Sequence, residues 1–300
     1  MLNDFFKLNG QFRTYTTQQE LVDQLAISQD LRNILFDPPL LEATGQHPKL
    51  KIKNTKFTNV SLSKTLIKKV VFIDCEFEDC LFIGTELLDC EFHNTTFKNC
   101  NPYKISINNT YINPKSFENC IPGIKNSNIA VHLFQQLLNN SDDKLQSKFG
   151  RIAEYNFKKW QDKLTFNKFW NKQPYPISIW KFLWTYPINF LYRVTFGYGL
   201  RLKNFILTFT IIFLSFFFIN AYNWKDYALQ KKDLKIQAFN GDSSNIHSNF
   251  FYTLDATTKI VDSQFQATSN KGMIWLTIEN LFGFILLSGL ITIILNRLVK

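Results

Sequence analysis

From Phe57 onward every fifth residue is bulky and apolar: Phe57, Leu62, Ile67, Phe72, Phe77, Phe82, Leu87, Phe92 and Phe97, then Ile107, Ile112 and Phe117 beyond an interruption at Pro102. Two residues before most of these positions stands a smaller side chain, Thr55, Val60, Thr65, Val70, Cys75, Cys80, Thr85, Cys90, Thr95 and later Thr110, with Cys100 in phase before Pro102; Pro102 and Lys115 break the pattern. Helices repeat every 3.6 residues and strands every two, so neither carries a period of five. A fixed short repeat describes a solenoid, in which each unit buries its apolar face against its neighbours alone.

The pattern resembles the pentapeptide repeat family over residues 54–122. The resemblance implies a right-handed, four-sided β-helix with one pentapeptide per side and twenty residues per coil. Positions twenty apart then stack, at the ordinary strand spacing of ~4.8 Å. Phe57, Phe77, Phe97 and Phe117 form one internal column, and Cys80, Cys100 and Cys120 another. All five cysteines (75, 80, 90, 100 and 120) fall on the small inward position. They are free core thiols in a reducing compartment, or stacked partners for disulfides in an oxidising one. Their linear spacing does not suit tetrahedral zinc. With no secretory signal before the repeat, a cytoplasmic solenoid is expected. Some pentapeptide proteins mimic DNA, and Asp74, Glu76, Glu78, Asp79, Glu86, Asp89 and Glu91 make an acidic stretch without Lys or Arg. A solvated outer face explains the same stretch.

The flanks read as helix. Residues 1–53 are expected to form a helical cap, with Thr17-Gln-Gln-Glu20 as a capping box and Asp37-Pro-Pro as the stop. Residues 123–175 read as cytoplasmic linker helices, separated by a turn and N-cap at Asn140-Asn-Ser-Asp-Asp143.

Residues 204–222 carry no charge and 273–295 carry one, and each is long enough to span a ~30 Å hydrocarbon core. Ten Lys or Arg against two acids lie in residues 151–203, the source of most of the net charge of +10. The positive-inside rule then gives a multi-pass protein of the inner (cytoplasmic) membrane with both termini in the cytoplasm. Trp170, Trp180, Trp184, Tyr186 and Tyr192 interleave with these cations. That mixture suits a lipid headgroup layer better than nucleic acid. Residues 176–203 are expected to lie along the membrane as an amphipathic segment, broken at Pro187.

Between the spans, residues 249–262 resemble the re-entrant pore helix and filter approach of two-span, potassium-channel-like proteins. The match runs from Tyr252 through Thr257-Thr258, with Asp262 at the acidic position. Gly197-Tyr-Gly-Leu-Arg201 resembles the junction that precedes the first span in bacterial pentapeptide-repeat proteins carrying such a domain. The resemblance implies an ion channel-like domain over 204–300, in a homotetramer conducting inorganic ions. Its filter is Thr257, Thr258, Lys259, Ile260, Val261 and Asp262, supported by Asp255 and Glu279, with Gly283 and Gly289 as gating hinges or packing positions. Potassium filters use glycine to present backbone carbonyls, and this chain offers none between Thr258 and Gly272. Potassium selectivity is therefore not implied. Lys259 faces the lumen, where a ring of lysines favours anions, or pairs with Asp255 or Asp262, or points to the extracellular water. Glu279 supports the pore loop, through its backbone or Thr257, or sits at the outer interface.

No Walker loop, GxSxG or triad spacing is present, and His47, His93, His132 and His247 are scattered, so neither an enzyme nor a cofactor is expected. The expected function is a homo-oligomeric channel whose solenoid binds a cytoplasmic ligand or protein. The alternatives are a non-conducting membrane-anchored scaffold and a DNA-mimic-like interaction protein. The Asn/Lys/Phe/Ile-rich composition is compatible with a low-GC bacterium.

Overall fold

The computed structural model describes residues 4–43, 49–143, 146–172, 175–229, 246–259, 261 and 265–298. The chain divides into two compact units, Met1–Pro187 and Ile188–Lys300.

The first unit is built on a β-solenoid of about five turns. Its strands are β1 (Arg13–Tyr15), β2 (Asp30–Phe36), β3 (Leu40–Glu42), β4 (Leu50–Lys53), β5 (Lys56–Ser61), β6 (Leu66–Lys68), β7 (Val70–Ile73), β8 (Glu76–Glu78), β9 (Glu86–Leu88), β10 (Glu91–His93), β11 (Thr96–Lys98), β12 (Ser106–Asn108) and β13 (Tyr111–Ile112). They stack as three parallel sheets, β1-β2-β5-β8-β11, β4-β7-β10-β13 and β3-β6-β9-β12. Isolated bridges join Ser61, Leu81 and Asn101 in a further column. Phe57 pairs with Phe77 and Phe77 with Phe97, a step of twenty residues.

A turn this tight needs a corner every five residues. Asn54, Asn59, Lys64, Lys69, Asp74, Asp79, Gly84, Asp89, Asn94, Asn99, Lys104 and Asn109 all have φ between 49° and 67°. Asn and Asp tolerate this left-handed conformation better than other residues with a Cβ, because their short side chains bond locally. Here they also bond across coils: Asn94 Nδ2 donates to Asp74 Oδ1 at 2.6 Å, and Asn99 and Asn109 donate in the same way to Asp79 and Asp89. Setting an amide above each carboxylate keeps like charges from stacking.

Inside, the rings of Phe57, Phe77, Phe97 and Phe117 stack at centroid distances of 4.7, 4.9 and 4.3 Å. The small inward position has its own chemistry. Thr85 Oγ1 donates to Leu62 O at 2.7 Å, and the Cys80 and Cys100 thiols to Phe57 O and Phe77 O at 3.3 Å. A compact donor is thus repeated one coil after another. All five cysteines are free and buried. Burial pushes the Cys90 thiol up to about 11 and those of Cys80 and Cys100 well above the usual thiol range, which makes them poor nucleophiles.

The acidic stretch is stitched to neighbouring coils. Glu78 accepts from Lys56 and Lys98, each at 2.8 Å, and Glu91 pairs with Lys49.

Residues 1–53 do not form a helical cap. Among the described residues there, only α1 (Gln18–Ile27) and a 3₁₀ turn at Asp4–Phe6 are helical, and β1 to β4 belong to the solenoid. The first coil is longer: Leu31 pairs with Phe57 and Leu41 with Ile67, 26 residues on, whereas Ile52 pairs with Phe72 at twenty. The extra residues break the five-residue phase, although Leu31, Ile34, Phe36 and Leu41 fill the same core. The Thr17–Glu20 capping box is present, but the helix ends well before Asp37.

Helix α1 covers one edge strand. The Gln18 side chain donates to Glu42 O at 2.6 Å and accepts from Glu42 N at 3.1 Å. At the far end, α2 (Ser127–Asp143) runs through Asn140–Asp143, where a turn was expected. Buried Asn140 repeats the device, accepting from Thr110 N at 2.9 Å and donating to Thr110 O at 2.7 Å. Helix α3 (Ser147–Trp170) packs on α2, with Ala153 and Trp160 joining the solenoid core. Helix α4 (Ile179–Phe196) carries Pro187 within it, so the expected break is absent, although the boundary between the units falls at that residue. Proline removes one intrahelical donor, and an isolated loss does not end a helix held on both sides.

The second unit contains α5 (Leu202–Tyr222) and α7 (Asn270–Leu298), both long and apolar enough to cross a membrane. Between them come α6 (Ile246–Thr258) and a ribbon of β14 (Tyr227–Leu229) with β15 (Phe265–Ala267), paired antiparallel. Thr268 N donates to Asp226 O at 2.8 Å, tying the start of α7 to the end of α5.

Phe77→Ala, which removes the middle of the ring stack, is expected to cost about 3–5 kcal/mol, read from denaturant titration of the full chain by far-ultraviolet circular dichroism. A loss under 1 kcal/mol would contradict the stacking argument. The Lys56 and Lys98 ammonium groups pull the Glu78 carboxyl down to about 2. A depressed carboxylate adds stability above its unfolded value, ~4.3, and loses it as pH falls toward 2. Solenoid stability is therefore expected to decline across that window, and Glu78→Gln to flatten the decline.

Candidate functional site

The polar residues of the second unit converge where α6 lies between α5 and α7. Asn220 closes the apolar run of α5, and Glu279 stands three turns into α7; both are fully buried. Asn220 Nδ2 donates to Glu279 Oε2 and lies 3.0 Å from Thr253 Oγ1 of α6 as well. Tyr227 OH donates to Asn220 Oδ1 at 3.3 Å, and Asn249 Nδ2 to Phe217 O at 3.0 Å. The buried Tyr252 ring sits against Tyr227 at 4.7 Å and Trp224 at 5.9 Å. One carboxylate thus bolts three elements together through a single amide. Its other oxygen, Oε1, and Asn280 Oδ1 have no hydrogen-bond partner among the described residues.

The expected filter residues begin at the end of α6. The Thr257 and Thr258 hydroxyls donate back to Thr253 O and Leu254 O. Lys259 closes the helix in the left-handed conformation, φ 56°, its N–H donating to Asp255 O at 2.8 Å. Its ammonium lies 3.9 Å from Asp255 Oδ1 and is well exposed. Val261 is half-buried, and Ile260 and Asp262 lie outside the described residues. Among the described residues Glu279 is not bonded to Thr257; it is bonded to Asn220, which also meets Thr253.

Gly283 and Gly289 are both close-packing positions in an unbroken α7. A Cβ on Gly283 would strike the carbonyl of Thr257, and one on Gly289 the ring of Phe196. Between Thr257, Gly283 and Leu286 on one side and Phe205 and Phe209 on the other lies an apolar pocket of about 250 Å³.

A second cluster holds the end of α4. Gly197, Tyr198 and Gly199 all have positive φ and make a sharp elbow into α5. The carbonyls exposed at the end of α4 are satisfied by α5: Asn204 Nδ2 donates to Arg193 O and Val194 O, and Thr208 Oγ1 to Thr195 O at 3.1 Å. Asn296 Nδ2 of α7 donates to Gly199 O at 3.0 Å.

Sequence reasoning identified Glu279 but missed Asn220, Thr253, Tyr227, Phe196 and Asn296. Asn220 and Asn296 had a signal, since amides in apolar spans mark helix–helix hydrogen bonds. His93, on the solenoid, stacks on Tyr111 at 5.1 Å and meets Glu91 Oε2 at 2.9 Å. Among the described residues no three His, Cys, Asp or Glu side chains converge to hold a metal ion. No model of a known protein family matches the chain. No curated protein matches it either.

Gly283→Ala must push α6 away from α7. It is expected to lower the melting temperature of the detergent-solubilised chain by several degrees, while Ser288→Ala leaves it unchanged. An unaltered melting point for Gly283→Ala would deny the close approach.

Proposed function

We propose that this chain is the subunit of a homo-oligomeric, channel-like membrane protein with a cytoplasmic pentapeptide-repeat domain. The observation that carries the reading is α6. It is a short helix with buried polar residues, held between two apolar helices by the Glu279–Asn220–Thr253 bonds. In a bilayer every buried polar group needs a partner, and non-spanning backbone is tolerated only inside protein or beside water. A re-entrant pore helix meets both conditions.

In this reading α5 and α7 are the two spans, 249–262 is the pore loop, and both termini are cytoplasmic. Two spans cannot enclose a pore alone, so several copies are required, a homotetramer being the arrangement the resemblance implies. The solenoid is read as four-sided, its three sheets and the Ser61–Leu81–Asn101 column being the faces. Thr257 through Asp262 line the filter. Each Lys259 is partly compensated by its own Asp255, which leaves a ring of modest positive charge and no potassium-type filter. Gating passes from a ligand or protein on the solenoid through residues 128–172.

The lack of glycine between Thr258 and Gly272, where a potassium filter has its carbonyl-presenting run, favours a second reading, a membrane-anchored scaffold that conducts nothing. The DNA-mimic reading is weakened, because Glu78 and Glu91 are already paired with lysines.

The test is single-channel current in planar bilayers under asymmetric KCl. Stepwise current is expected. Lys259→Ala should move the reversal potential toward cation preference, and Asp255→Asn, by freeing Lys259, toward anions. An assembled oligomer silent under all conditions would leave the scaffold. Conductance unchanged after deletion of residues 1–122 would remove the gating role.

A further inference from the structure

From Lys163 to Lys225 the chain has no Asp or Glu, yet it carries Lys163, Lys168, Lys172, Lys181, Arg193, Arg201, Lys203 and Lys225. Protein carboxylates within this stretch therefore cannot neutralise it. The part of it in the first unit has a defined shape. The Phe169 and Phe182 rings stack at 4.1 Å, Phe182 and Tyr186 at 5.1 Å, and Phe166 meets Tyr186 at 5.6 Å. These four rings bolt the start of α4 to the end of α3.

The outer surface of this elbow is apolar and aromatic. Trp170 is 63% exposed, Trp180 72%, Trp184 71% and Tyr175 77%, with Ile179 and Leu183 more than half exposed beside them. Trp180 and Trp184 are one helical turn apart and share a face. Lys172 and Lys181 are exposed and Lys168 half-exposed, and none forms an ion pair among the described residues. Indole rings beside lysines, with long stems that reach past apolar surface, suit the interface between lipid tails and headgroups.

We propose that the elbow of α3 and α4 binds anionic phospholipids selectively, Lys168, Lys172 and Lys181 meeting the phosphate and headgroup charge while Trp180 and Trp184 enter the acyl boundary. This rests on the membrane reading and adds to it the class of lipid. The bilayer is favoured over a soluble polyanion because three exposed tryptophans and two aliphatic side chains gain nothing from a hydrophilic partner. A lipid surface takes up both the charge and the apolar area.

The experiment uses the full chain in nanodiscs of phosphatidylcholine with phosphatidylglycerol, and reads the fraction of spin-labelled lipid held immobile beside the protein. Labelled phosphatidylglycerol is expected to be retained about tenfold over labelled phosphatidylcholine. Raised salt should shrink this preference in the unaltered protein. The combined change Lys168→Gln, Lys172→Gln and Lys181→Gln should bring it close to equality, and Arg297→Gln should leave it intact. A chain that enters nanodiscs but holds both lipids equally overturns the proposal and leaves the membrane reading standing. A chain that does not enter overturns both. A preference indifferent to salt and to the triple change overturns it too, as does a triple variant that loses heparin binding while its lipid preference persists.

Discussion

A left-handed corner every five residues is the constraint on which the solenoid rests. It turns the chain often enough that residue i meets residue i+20, and everything else follows from that meeting. Phenylalanines stack, small donors reach the carbonyl of the coil before, and Asn sits over Asp. The corner restricts sequence more severely than the core does. The core accepts Phe, Leu or Ile at the large position, whereas Asn, Asp, Gly and Lys fill every corner from Asn54 to Asn109. A β-branched residue there would crowd its own backbone.

Solenoid ends are open sheet edges, and open edges invite pairing with another chain. Here side-chain amides occupy backbone positions at both ends, Gln18 against Glu42 and Asn140 against Thr110. Each amide offers one donor and one acceptor, which is what a missing strand would supply at that residue. The helices that carry them bring apolar cover as well, Leu21 from α1 and Leu133, Phe134 and Leu137 from α2. Termination is therefore a matter of hydrogen bonding and packing together, and it limits growth by strand addition at β3 and beyond Thr110.

The legible part of this chain is the part with a uniform repeat or a uniform polarity. Residues 54–122 kept one phase, and the two apolar helices kept one composition. Residues 13–53 were hidden by the longer first coil, in which Leu31, Leu41 and Ile52 reach the core at unequal intervals. Pro187 misled because a local rule was read without the helix on either side. In the membrane-like half, Glu279 announced itself as a lone charge, but its partner did not. A single Asn at the end of an apolar run is common, and only packing showed that Asn220 faces Glu279 and Thr253 at once. The corner positions were legible and went unread, since Asn and Asp recur every fifth residue through most of the repeat.

The two units solve one problem by different means. Backbone and buried polar groups must be satisfied wherever water is excluded. The solenoid does so by repetition, each coil answering the next, so that a defect in one corner is shared with two neighbours. The second unit has no repetition and relies on single residues. Asn220 serves Glu279, Thr253 and Tyr227; Asn204 serves two carbonyls at the end of α4; Asn296 serves Gly199. Losing one of these amides strands several groups at once. The solenoid therefore tolerates substitution by degrees, and the second unit turns on a few amides. That asymmetry follows from repetition in the first unit and its absence in the second.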